Sequence, residues 1–256
     1  MVNIELNVIY NEDCISENEH EGMNRIPDKS VDMILCDLPY GTTDKNKWDV
    51  VIPFEPLWKN YVRIIKDNGV ILLTSQQPFT SELITSNKKM FRYEIIWEKT
   101  KPVGFFNAKK MPLRTHENIL VFYKKLPKYN PELEDCTKKV KRPNNSTVYG
   151  TNRSKNNEYI MKKTGYPRSV IKFSNVMKKQ LHPTQKPLDM WEWLIKLYTD
   201  EDDIVVDNCM GSGTTAVACI NTNRRYVGFE LDKEYYEKSL ERIENCKLQT
   251  LHIVCS

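Results

Sequence analysis

The sequence predicts an α/β fold on a parallel sheet, and two observations carry that expectation. Short apolar, β-branched runs alternate with amphipathic stretches of helix length, first over residues 6–123 and again from 188 onward. One of those runs ends in an acidic residue, a turn with two glycines and a helix start, as nucleotide-binding sheets do. The composition agrees: of 256 residues, 40% are hydrophobic and 28% charged, which excludes disorder and collagen-like repeats.

In chain order, Leu6–Tyr10 and Val31–Leu35 read as buried strands. Pro53–Lys66 reads as a helix, with Phe54, Leu57, Tyr61, Ile64 and Ile65 on one face. The strand Val70–Thr74 follows, then a helix over Pro78–Lys88 with Phe79, Leu83 and Ile84 inward, then strands Tyr93–Trp97 and Ile119–Phe122. From 124 to 180 the pattern dissolves into prolines, asparagines and paired lysines, which predicts an insertion. The alternation then resumes with helix Leu188–Tyr198, strand Ile204–Asp207, helix Thr214–Asn221, strand Tyr226–Glu230 and helix Lys233–Cys246. The two blocks are either parts of one sheet or two half-sized domains.

A net charge of +4 says little by itself. Residues 124–180, however, hold fifteen Lys and Arg against four Asp and Glu, or +11, and the remaining 23 basic and 30 acidic residues carry −7. The molecule is strongly polarised. Seven cysteines without C-x-x-C spacing, and no signal-like start, predict reduced thiols in the cytoplasm. His20, His116, His182 and His252 complete no zinc pattern with them, so no metal is expected, and no apolar run reaches the ~20 residues of a membrane span.

In Ile204-Val205-Val206-Asp207-Asn208-Cys209-Met210-Gly211-Ser212-Gly213-Thr214-Thr215, the missing glycine side chains let backbone approach a ligand, and the helix start offers free amides to an anion. Glu230 ends the next strand, where a doubly wound fold places an acceptor for ribose hydroxyls. A phosphate-binding P-loop would need lysine where Gly213 precedes Thr214. Gly211, Gly213 and Ala216 fit a dinucleotide fingerprint, so this turn alone leaves an oxidoreductase open.

The strand Val31–Cys36 runs into Asp37-Leu38-Pro39-Tyr40. The exocyclic amine of adenine is a poor nucleophile because its lone pair is delocalised into the ring. A carboxylate and a carbonyl that accept its two hydrogens favour a pyramidal nitrogen, and an aromatic can stack on the base for ~1 to 3 kcal/mol. Asp37, the Leu38 carbonyl and Tyr40 could supply these, whereas in isolation the tetrad is equally a structural turn. Both cysteines beside the motifs, Cys36 and Cys209, read as packing residues.

Taken together, the tetrad and the glycine turn resemble the motifs of the S-adenosylmethionine-dependent amino DNA methyltransferases. Asp37-Leu38-Pro39-Tyr40 looks like their D-P-P-Y motif, with Leu38 for the first proline; Asp207–Gly213 looks like D-P-F-x-G-S-G, with Asn208-Cys209 for Pro-Phe. The tetrad precedes the turn, with the basic segment between, as in the family's β group. The resemblance implies a circularly permuted Rossmann-like sheet in which residues 1–123 and 181–256 form one catalytic and cofactor-binding domain and 124–180 the target-recognition insertion. It implies catalytic roles for Asp37, Leu38, Pro39 and Tyr40. It places the cofactor against Asp13, Cys14, Asp37, Thr184, Lys186, Asp207, Asn208, Met210, Gly211, Ser212, Gly213, Thr214, Glu230 and Leu231. Within that set Asp13 would accept from the cofactor's adenine amine, although it equally suits a helix cap before Ile15; Thr184 and Lys186 of His182-Pro183-Thr184-Gln185-Lys186-Pro187 would bind its carboxylate, and His182 reads as structural.

The expected activity is methylation of adenine N6 in double-stranded DNA by direct transfer to a flipped-out base. Serine is commoner at the Asp37 position in cytosine-N4 enzymes, which remain the alternative; a nicotinamide-dependent oxidoreductase and a non-catalytic DNA-binding module are more remote. The insertion, with Tyr129, Tyr149, Tyr159, Tyr166 and Phe173 among its charges, suits a duplex surface. Lys99, Lys101, Lys109, Lys110 and Arg114 either extend that surface or sit on a solvent rim. A homodimer and a cognate restriction enzyme are possible partners that the sequence does not reach, and the setting expected is bacterial or phage.

Overall fold

A computed structural model describes residues 4–41, 49–141, 158–175 and 185–254. The elements in order are β1 (Val8–Tyr10), β2 (Val31–Cys36), α1 (Phe54–Ile64), β3 (Ile65–Ser75), α2 (Phe79–Ser86), β4 (Phe91–Val103), β5 (Arg114–Phe122), β6 (Glu134–Lys141), β7 (Glu158–Thr164), β8 (Val170–Phe173), α3 (Leu188–Tyr198), β9 (Ile204–Asp207), α4 (Thr214–Asn221), β10 (Arg225–Phe229) and α5 (Lys233–Val254). Among the described residues, eight strands form one sheet in the order β1-β10-β9-β2-β3-β5-β4-β8.

The two sequence blocks therefore share a sheet. β9 lies directly beside β2, with Met33 opposite Val205 and Ile34 opposite Val206, and β10 separates β9 from β1. Alternate residues of each strand face opposite layers. Met33 and Leu35 of β2, Val70 and Leu72 of β3 and Val205 of β9 pack in the layer that holds Trp191, Leu194 and Ala218 of α3 and α4. Ile34 and Cys36, Ile71 and Leu73, and Val206 face the opposite layer with Leu57, Tyr61 and Leu83 of α1 and α2. Burial on both faces is why these strands are nearly continuous apolar runs.

The sheet departs from the all-parallel expectation at β5, which runs antiparallel to both β3 and β4. The physical reason is the connection. Parallel neighbours need a crossover, and the chain between β4 and β5 has only a short loop at 104–113, so the two strands close as a hairpin.

Residues Pro131–Arg168 form a separate compact unit, in which β6 and β7 pair antiparallel and Lys163 bridges to Asp135 at 2.6 Å. The ends of the expected insertion behave differently. β8 adds to the main sheet beside β4, and residues 124–130 lie along the main unit, where Lys125 pairs with Asp67 and Lys128 with Asp203. Those lysines neutralise acids of the main unit, so the compact unit itself has nine basic and four acidic residues, or +5. One of the expected DNA-facing aromatics packs inward, Phe173, 6.2 Å from Trp193 of α3; Tyr129 lies 6.1 Å from Tyr198 of the same helix but stays 46% exposed. Tyr149 lies outside the described residues.

Candidate functional site

Parallel strands point their C-terminal ends at one edge of the sheet, and the loops that leave β1, β2, β9 and β10 gather there. They wall a cavity of about 1040 Å³. Its lining includes Asp13, Cys14, Asp37, Leu38, Pro39, Tyr40, Lys186, Asn208, Met210, Gly211, Ser212, Thr214, Glu230 and Leu231. Asp207 and Gly213 stand behind this wall, and Thr184 lies outside the described residues.

Asp37 sits where β2 ends, and its carboxylate is held from three directions. Oδ1 accepts from the Tyr40 hydroxyl at 2.9 Å and from the Thr74 hydroxyl of β3, while Oδ2 meets the Lys186 ammonium at 2.5 Å. A carboxylate has about four acceptor directions, so among the described residues one remains for a ligand. The Tyr40 ring is braced by Phe79, with centroids 5.4 Å apart and planes at 30°. Burial, then the neighbouring Asp37 charge, raises its phenol well above the usual value, so it stays protonated and donates.

Lys186, expected at the cofactor's carboxylate, lines the cavity and pairs there with carboxylates of the chain itself. Its side chain is only 7% exposed, and an ammonium in that setting needs counter-charge. Asp37 supplies it, with Glu117 Oε2 a further 3.4 Å away. Burial disfavours the Lys186 charge, but the two carboxylates outweigh it and hold the pKa above the ordinary lysine value. Glu117, on β5, accepts in turn from Lys99 at 2.5 Å and Gln76 at 2.8 Å, and Arg114 donates to Gln76. Burial pushes the Glu117 carboxyl up, yet Lys186 and Lys99 together keep it below the usual range. Lys99 is thus neither on a DNA face nor on a solvent rim: it is buried, paired with Glu117.

The glycine turn is braced from within. Asp207, buried, accepts the Thr215 hydroxyl and the Cys209 amide, and Trp191 Nε1 donates to Thr215 at 2.8 Å. Burial pushes its carboxyl up to about 6. Its part is therefore to fix the turn against α4. Asn208 accepts from the Tyr61 hydroxyl of α1, which accounts for a polar residue in the buried place of a proline. Gly213 adopts φ +79°, and a Cβ there would lie 3.1 Å from Ser239 Cβ of α5, so both backbone and packing require glycine. Arg242, also on α5, reaches the Ser212 carbonyl at 3.1 Å and the Thr214 hydroxyl at 3.0 Å.

Opposite the turn, Glu230 accepts the Gly211 amide at 2.7 Å and the Asp232 amide at 2.9 Å, leaving acceptor capacity toward the cavity. Burial raises its pKa. Leu231 beside it is 71% exposed on the cavity wall, an apolar surface suited to a flat ring. Asp13 accepts the Ile15 amide at 3.0 Å, so one oxygen serves the turn that the sequence allowed as its alternative, although no helix follows. Glu12 is held by Arg25 and by the Gly22 amide. Gly22 has φ +55°, and a Cβ there would lie 2.4 Å from the Asp13 carbonyl, so this glycine seats the 12–14 segment. Cys36 is fully buried with its thiol pushed up to about 12, which leaves no reactive thiolate at the tetrad.

Sequence reasoning missed Thr74, Gln76, Glu117, Tyr61 and Arg242. No local motif marks them: Thr74 lies at the C-terminal end of β3 and Gln76 just past it, Glu117 on β5, Tyr61 on α1 and Arg242 on α5, all far in sequence from the two motifs.

One cavity thus joins a fixed carboxylate to a glycine turn with an acidic and an apolar neighbour, and comparison with known proteins gives the same grouping. The family described as DNA methylase, N6_N4_Mtase, matches residues 31–241. The type II methyltransferase M.HpaI of Haemophilus parainfluenzae is 29% identical over 247 residues, covering 90% of this chain and 74% of that protein. The DNA adenine methyltransferase YhdJ of Escherichia coli is 26% identical over 258 residues, 94% of this chain and 83% of its own length. The crystal structure of the M1.HpyAVI complex with S-adenosylmethionine superposes with a TM-score of 0.60 at 25% identity, over 91% of this chain and 98% of that one. The match spans both motifs and the whole sheet between them, and the chain belongs to the N6/N4 DNA methylase family.

Proposed function

We propose that this DNA methyltransferase transfers the methyl group of S-adenosylmethionine to the N6 amine of adenine in duplex DNA. The observation that carries the reading is the Asp37 carboxylate, fixed by Thr74, Tyr40 and Lys186 on the wall of the cavity that also holds the glycine turn and Glu230. The donor set suits the cofactor. Glu230 offers acceptors for ribose hydroxyls, Leu231 an apolar face for adenine, and Gly211, Ser212 and Thr214 a close backbone approach, with Thr184 the expected contact for its carboxylate. When bound, it supplies an electrophilic methyl on a positively charged sulfur.

The chain's own residues do the rest. Asp37 accepts one hydrogen of the amine through its remaining acceptor direction and the Leu38 carbonyl accepts the other, which turns the nitrogen lone pair outward. The Tyr40 ring, braced by Phe79, receives the face of the base. The cavity lies in the wall of the protein, so the base must leave its duplex, at a cost of a few kcal/mol. An aspartate at position 37, and the resemblance to an adenine methyltransferase, favour adenine over cytosine. The setting that goes with this activity is a bacterial cytoplasm.

Mass spectrometry of nucleosides from DNA treated with the protein tests the reading, with N6-methyladenine as the expected product. N4-methylcytosine would reassign the base. Asp37→Ala should lower kcat by about 100-fold or more, since the amine loses its acceptor; a variant of undiminished rate would overturn the mechanism.

A further inference from the structure

The loop that joins β4 to β5 is rooted in the wall of the cavity. Val103 and Arg114 are register partners at the end of the hairpin, and both line the cavity. From that root the chain turns at Gly104, φ +89°, and folds into a compact knuckle in which Asn107 donates its amide to Gly104, and Lys110 and Met111 donate theirs to Asn107. The knuckle presents its apolar side chains outward. Phe106 is 104% exposed, Phe105 64% and Met111 55%. Two adjacent phenylalanines and a methionine held in water on a fixed turn contribute nothing to the core, and such a cluster marks a contact surface.

The charge around it selects the partner. Between residues 100 and 116 there are four basic residues, Lys101, Lys109, Lys110 and Arg114, and no acidic one. Lys101, Lys109, Lys110 and Arg114 are all exposed. Outside residues 124–180 the chain carries −7, so a purely basic stretch beside the cavity runs against its surroundings. An apolar tip flanked by lysines fits a duplex whose base stack is opened: the side chains fill the gap and the ammonium groups hold the phosphates.

We propose that the 104–113 loop is a DNA wedge, in which Phe106, supported by Phe105 and Met111, enters the base stack next to the extruded target base while Lys109 and Lys110 grip the adjoining backbone. The inference rests on the reading that duplex DNA is the substrate. It assigns the opening of the duplex to a loop of the catalytic unit rather than to the basic insertion.

The experiment uses the full chain and, once the methylated sequence has been mapped, duplexes with 2-aminopurine at the target position. Wild type should raise the 2-aminopurine fluorescence on binding. Phe106→Ala should lose most of that rise and about ten-fold in kcat/KM on paired duplex, but much less on a duplex whose target faces an abasic site, where unstacking is cheap. Its affinity for S-adenosylmethionine should match wild type, and Phe106→Trp should restore flipping. Lys109→Ala with Lys110→Ala should weaken duplex binding and lower its salt dependence. Equal losses on paired and abasic duplexes, or undiminished fluorescence in Phe106→Ala, would overturn the wedge while leaving the methyltransferase reading intact. So would a Phe106→Ala variant that handles DNA normally but sediments at a lower mass than wild type, which would make the loop a contact between copies. A wild type that methylates no DNA would remove the reading on which the wedge rests.

Discussion

At the residue scale, the site works by placing charges where burial makes them costly and then compensating them. Asp37, Lys186, Glu117 and Lys99 form an alternating chain of two carboxylates and two ammonium groups, and its carboxylates are fixed further by hydroxyl donors on Asp37 and an amide donor on Glu117. Asp207 has no such cation among its hydrogen-bond partners; burial, with the Asp37 charge adding to it, raises its carboxyl to about 6 from 3.8. A carboxyl with a raised folded-state pKa favours folding while protonated. Its contribution is complete below about pH 4 and is lost as pH rises through 6. Wild type should therefore lose about 1 to 1.5 kcal/mol relative to Asp207→Asn between pH 5 and 7.5, read from paired urea titrations. A difference that stays flat with pH would show a carboxyl that titrates normally. Asp37 and Asp207 were both legible in the sequence because each ends a strand within a short motif. Glu117 was not: it lies on a strand whose neighbours, and hence whose ion partners, are set by the sheet order rather than by adjacent residues.

At the element scale, the strands were legible where burial on both faces makes them apolar runs, and the helices where one face is apolar. The direction of β5 was not read, although the stretch between Trp97 and Ile119, broken by Pro102, Gly104 and Pro112, carries no amphipathic helical pattern, which is the signal that a hairpin, rather than a helical crossover, joins β4 to β5. That reversal has a functional consequence, since it brings Arg114 and Glu117 back to the edge of the sheet at which Asp37 stands. Helix α5 acts on the site from behind. Its Arg242 guanidinium, its charge disfavoured by burial, holds the Ser212 carbonyl and Thr214 hydroxyl, and its Ser239 fits against Gly213. Truncating Arg242 leaves the turn without that brace but leaves Asp37 untouched. Arg242→Ala should raise the dissociation constant for S-adenosylmethionine about ten-fold by calorimetry, with kcat at saturating cofactor changed less than two-fold. A collapse of kcat at unchanged affinity would place Arg242 in the methyl-transfer step instead.

At the scale of the whole molecule, the polarity of charge is divided more finely than the sequence implied. Part of the +11 in residues 124–180 pairs with acids of the main unit, as Lys125, Lys128 and Lys172 do with Asp67, Asp203 and Glu98. Lysines committed in this way release few counterions when DNA arrives, so their contribution to binding is small. The compact unit Pro131–Arg168 keeps +5, and its Lys138, Lys139 and Lys162 are exposed on β6 and β7. If this unit is the target-recognition surface, each of those lysines that meets a phosphate adds about 0.9 to the slope of log affinity against log salt. The triple variant Lys138→Ala, Lys139→Ala, Lys162→Ala should flatten that slope by up to about 2.7 in fluorescence anisotropy between 50 and 200 mM salt, while methylation at saturating DNA persists because the cavity lies wholly in the other unit. The control is Lys125→Ala with Lys128→Ala, which should change stability but not the slope. If the control flattens the slope and the triple variant does not, the duplex lies against the 124–130 strap, and the compact unit serves some purpose other than holding DNA.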